Sequence, residues 1–92
     1  MNEFMVVCTF KEGIDMPEIM ALAAEERDAA KLLQDAGRLG AVRLATPNRK
    51  VFLQVMAADV AAAQATVEGL PMGKLWNLEV YPLVQPAQLL GE

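Results

Sequence analysis

The stretch LGAVRLATPNRKVFLQVM (Leu39–Met56) decides the fold. Two apolar, β-branched runs, Leu39–Thr46 and Lys50–Met56, flank the turn sequence Thr46-Pro47-Asn48-Arg49, so the pair reads as a β-hairpin. A helical segment lies on either side of it. Upstream, Asp15 followed by Pro17 marks a helix start, with Glu18 near the positive end of the dipole, and the helix runs to about Ala36 before Gly37 stops it. Downstream, Asp59 opens an alanine-rich helix over Val60–Glu68, which Gly69 and Pro71 end. The outermost segments, Met5–Phe10 and Leu75–Val84, are again strand-like.

The order is therefore β-α-β-β-α-β. Its packing is the α+β ferredoxin-like arrangement, a four-stranded antiparallel sheet with two helices on one face. Such a sheet leaves its second face open, yet these strands are apolar on both sides. Val51, Leu53 and Val55 alternate with Phe52 and Met56; Trp76, Leu78 and Val80 oppose Tyr81 and Leu83. The open face is expected to pack on a second copy, giving a homodimer of the dimeric α/β barrel type. Residues 1–84 read as one domain and 85–92 as a C-terminal tail, in which Ala87–Leu90 is expected to dock on a neighbour.

Composition agrees. Hydrophobic residues make up 54% of the 92, above the ~45–50% of an average domain, in a chain too short to bury them all alone. A net charge of −4, with no cluster of Lys or Arg, speaks against nucleic acid and against an anionic membrane surface. No apolar run reaches the ~18–20 residues of a membrane span, and Met1–Phe10 lacks the basic start and cleavage site of a signal peptide. A single cysteine, Cys8, fits a reducing cytoplasm and reads as a buried, inert thiol. Without histidine there is no catalytic triad, no Cys-His pair and no usual zinc set. Neither metal nor organic cofactor is expected.

One carboxylate breaks the pattern. With roughly 100° per residue, Ile19, Leu22, Ala23, Ala29, Ala30 and Leu33 all fall within about 60° of Glu26. The apolar stripe of the first helix is thus centred on Glu26. A carboxyl there is desolvated, paired or working, and any of these moves its pKa and makes it an acid/base candidate. The alternative is a carboxylate bonded to backbone or arginine with no chemistry. Arg43, alone among the apolar residues of its strand, has two readings as well. It anchors a ligand anion, or it forms an ion pair with Glu26 or Glu79. Lys11, Gln54 and Glu79 either line a cavity or sit at a rim.

Several short motifs run collinearly through the chain. They are Thr9-Phe10-Lys11 with Ile14-Asp15-Met16, Ala24-Glu25-Glu26, Leu33-Gln34-Asp35-Ala36-Gly37, Arg43, Leu70-Pro71-Met72, and Leu78-Glu79-Val80 with Leu83. Together they resemble muconolactone isomerase and its relatives, small proteins of aromatic-ring catabolism that shift a proton between lactone carbons without a cofactor. The resemblance implies Glu26 as proton carrier, Arg43 and Lys11 as carboxylate and enolate anchors, and Glu79 as a supporting group. It implies homodimers within larger rings and an active site between sheet and helices. The chain departs from the family at Leu39-Gly40-Ala41-Val42, at Ala61-Ala62-Ala63-Gln64-Ala65 and at Asn48-Arg49-Lys50. These departures imply a smaller and less polar cavity. The expected function is a proton-shift isomerase acting on a small lactone or carboxylate-bearing compound. The alternative is a non-catalytic dimeric module that binds a small molecule or serves a pathway as an accessory protein.

Overall fold

The computed structural model describes residues 1–84 and 86–89. Strand β1 (Asn2–Phe10) leads into helix α1 (Met16–Asp35), followed by β2 (Leu39–Ala45), β3 (Lys50–Ala57), α2 (Val60–Glu68) and β4 (Trp76–Leu83). A four-residue helix, α3 (Pro86–Leu89), comes last. The docking expected of Ala87–Leu90 falls partly on Leu90, which lies outside the described residues. The sheet runs β2-β3-β1-β4 with every pair antiparallel, the ferredoxin-like α+β fold. No described helix is long and apolar enough to cross a membrane.

Local chemistry sets the helix ends. Asp15 accepts the Glu18 amide at 3.1 Å, with Pro17 in the first turn of α1. Asp59 accepts the Ala62 amide at 2.8 Å and opens α2. Gly37, with φ of 74°, takes the left-handed turn after α1. The ends of the strands differ slightly from expectation. β1 starts at Asn2 because residues 2–4 pair with Val55–Ala57 and Gln54 donates its amide to Glu3. β4 starts at Trp76 because Gly73–Leu75 closes a 3-10 turn just before it.

Alternation divides the sheet into two faces. Phe4, Val6, Cys8, Leu39, Val51, Leu53 and Val55 are buried beneath the helices, packed with Ala63, Val67, Leu70, Leu75 and Trp76. On α1 the half-buried residues are Ile19, Leu22, Ala23, Glu26, Ala29, Ala30 and Leu33, the stripe that the helical period places there. The opposite sheet face carries Met5, Val7, Phe52 and Met56, half-buried by their sheet neighbours and covered by neither α1 nor α2.

Candidate functional site

Glu26 lies midway along the packed stripe of α1, and its Oε1 accepts the backbone N–H of Met72 at 2.8 Å. Among the described residues this is the one hydrogen bond to its carboxylate. Met72 is presented by a tight loop. Gly73 donates its N–H to the Leu70 carbonyl at 2.8 Å, and Leu75 to the Met72 carbonyl at 2.8 Å. Burial pushes the Glu26 carboxyl above its ordinary range, and the Met72 N–H, which favours the ionised form, offsets only part of this. The Cys8 thiol is pushed up to about 12, first by burial and then by the negative charge of Glu26. Cys8 is therefore a neutral core residue at any physiological pH. Glu26 is the half-buried carboxyl of this region.

Beside it opens a cavity of about 380 Å³. Phe10, Ile19, Val51 and Met72 form its apolar walls. Met16, Met20 and Leu44, exposed by 58%, 63% and 69%, make an apolar rim that would ordinarily face water only at a cost. Glu26 is not itself a wall residue. It stands about two turns beyond Ile19 on α1 and reaches the cavity through Met72, whose backbone it holds.

Arg49, Lys50 and Thr46 complete the lining. Arg49 has the left-handed φ of 56° at the end of the β2–β3 turn. Its backbone is fixed at both ends: its N–H donates to the Thr46 carbonyl at 3.1 Å, and its carbonyl accepts the Phe10 N–H at 3.1 Å. Its guanidinium Nη2 donates to the carbonyls of Lys11 and Ile14, at 3.1 and 3.2 Å. In the sequence Arg49 reads as a turn residue. Its one sequence-level signal was a cation inside an otherwise small and polar turn.

The other expected site residues do not gather around Glu26. Arg43 pairs with Phe52 in the sheet register, which turns it to the face away from the helices, and it is exposed. It forms no ion pair with Glu26 or Glu79; its Nη1 donates to the Val42 carbonyl at 3.1 Å. The physical reason is period-two alternation: Arg43 lies between Val42 and Leu44, which face the helices opposite Leu53 and Val51. Glu79 is on the same uncovered face, three strands away on β4. It accepts the Tyr81 hydroxyl at 2.6 Å, and this bond raises the phenol's pKa. Lys11 borders a different hollow, of about 340 Å³, together with Glu68, Lys74 and Asn77. Gln54 accepts the Ala41 N–H at 3.1 Å and holds a β-bulge rather than a cavity wall.

A ferredoxin-like sheet with an inward carboxylate and a neighbouring apolar cavity defines the class of small α+β proteins with a helix-side pocket. Among solved structures, the chain is similar to muconolactone isomerase, known from a crystal structure at 3.3 Å resolution. The two are 25% identical, the match covers 92% of each chain, and the TM-score is 0.72. The chain therefore has a muconolactone isomerase-like fold. No protein-family model and no curated protein matches it.

Proposed function

We propose that this chain is a cofactor-independent isomerase that shifts a proton within a small lactone or carboxylate-bearing compound, with Glu26 as the proton carrier. The observation that carries this reading is a carboxyl buried in an apolar stripe, raised in pKa, and fixed by one oxygen to Met72 at a cavity wall. A raised pKa makes a carboxylate a stronger base and its acid a donor closer to neutral pH, as a two-way proton transfer requires. Glu26 would take a proton from a carbon next to the substrate carbonyl, leaving an enolate. It would return the same proton to a second carbon, so that no atom is gained or lost. Movement of Met72, which lies between the carboxyl and the cavity, is part of this reading.

The test is turnover of a muconolactone-type lactone by Glu26→Gln. The expected loss is about 10²–10⁴-fold with the fold intact, the span of one general acid/base group. Full activity in the variant overturns the reading.

A second reading rests on the same bond. Glu26 is a tie between α1 and the loop at Met72, and the protein binds a small molecule without converting it. Ligand-induced stabilisation with no product supports this reading, and product formation removes it. In both readings the chain works as a homodimer through its uncovered sheet face, within a larger ring or not, and serves a catabolic or biosynthetic pathway in the cytoplasm.

A further inference from the structure

The cavity at the first turns of α1 combines two features that together specify a ligand. Its walls are hydrocarbon: Phe10, Ile19, Val51 and Met72. Among the described residues, the lining cation left free to meet a ligand is Arg49. Lys50 also borders the space, but its Nζ donates to Thr9 Oγ1 at 2.8 Å, and the register places that pair on the other sheet face. Arg49 is held by four hydrogen bonds, two from its backbone and two from Nη2. A guanidinium has five N–H donors, so three remain on Nε and Nη1. A cation pinned in advance at the edge of an apolar cavity loses little freedom when an anion binds.

We propose that this cavity binds an apolar carboxylic acid, its hydrocarbon body against Phe10, Ile19, Val51 and Met72 and its carboxylate on the guanidinium of Arg49. The proposal rests on the reading above only in taking this cavity as the ligand site. It makes Arg49 the positioning residue for the acid group. Arg43, on the far side of the sheet, has no part in it.

The probes are 3-phenylpropanoate and its neutral counterpart 3-phenylpropanamide, which share a body and differ in charge. Isothermal titration calorimetry on the full chain is expected to show the acid binding about tenfold more tightly than the amide, as one charge-assisted hydrogen bond provides. In Arg49→Gln the preference disappears while amide affinity stays within about twofold, a sign that the cavity is intact. Arg49→Lys restores part of the preference. Equal binding of acid and amide to the native protein overturns the proposal. So does a preference that survives in Arg49→Gln, or failure of both probes to bind. Assaying lactone turnover beside the titration separates the two readings. An acid preference in a native protein that converts no lactone, or in a Glu26→Gln variant that keeps full turnover, sustains this inference while the isomerase reading falls. Turnover without acid preference does the reverse.

Discussion

The residue on which most depends is Glu26, and its inward position was legible from a single helix. A 3.6-residue period needs no knowledge of the rest of the chain, and the half-buried residues of α1 are those that the period selects. Its hydrogen-bond partner was not legible, because Met72 is 46 residues away and its N–H is aimed by a loop. Arg43 is a lone charge in an apolar strand. Strand alternation turns it away, whereas Arg49, a cation that does border the cavity, owes its position to tertiary contacts with Lys11 and Ile14. A pH prediction belongs at this scale. Burial raises the Glu26 pKa, so the folded protein holds this proton more strongly than the unfolded chain does. The contribution to stability is fully present below the ordinary carboxyl value of 4.5 and is lost as pH rises through the folded pKa. Glu26→Gln keeps an acceptor for the Met72 N–H but has no proton to lose. In urea denaturation across a pH series, native stability relative to Glu26→Gln is therefore expected to fall with rising pH through that window. Parallel curves would mean that Glu26 is not desolvated.

Among the elements, the order and type of strands and helices followed from the hairpin and its flanking caps, and α2 spans the residues that Asp59 and Gly69 imply. The β-bulge in β2 did not follow. Its cause is a side chain on the neighbouring strand: Gln54 fills the space over Gly40, where a Cβ would collide with it, and takes the Ala41 N–H. Pairwise geometry of this kind is invisible to a one-dimensional pattern. The loop between α2 and β4 has a sharper constraint. A Cβ on Gly73 would lie 2.6 Å from the Glu68 carbonyl oxygen and 2.7 Å from that of Val67, both backbone atoms at the end of α2. Gly73→Ala must therefore move the loop, and with it the Met72 N–H that holds Glu26. The expected cost is about 1–3 kcal/mol in chemical denaturation, typical of added volume at a packed site. Ligand affinity at the neighbouring cavity is expected to fall with it, because Met72 forms one wall. A variant as stable as the native protein, with unchanged affinity, would show that the loop relaxes freely.

At the scale of the whole molecule, the uncovered sheet face has a charge pattern that the strand register makes explicit. Arg43 pairs with Phe52, Phe52 with Val7, and Val7 with Glu79. These four form one row across the sheet, with a cation on the β2 edge, an anion on the β4 edge and apolar side chains between. The two charges are three strand spacings apart, roughly 14 Å, too far to meet within one chain. They suit a second copy. If two such faces meet about a two-fold axis parallel to the strands, each Arg43 lies over the Glu79 of the other copy, and Val7 and Phe52 are buried at the centre. An axis across the strands would instead bring Arg43 onto Arg43. In such a dimer charge would select one of the two arrangements, while the apolar centre would supply the association. Reversing either charge alone, as Arg43→Glu or Glu79→Arg, turns two attractive contacts into two repulsive ones. At the ~0.2–1 kcal/mol of an exposed ion pair, either reversal should weaken the dimer about tenfold in sedimentation equilibrium. Making both changes together restores the complementarity, and the dissociation constant should return to within about threefold of the native value. Val7→Lys, which places a charge at the apolar centre, should leave a folded monomer. A native chain that sediments as a monomer at every concentration, or a double reversal no better than either single one, would refute this arrangement of copies. The cavity on the helix side would be untouched by that result, because neither Arg43 nor Glu79 borders it.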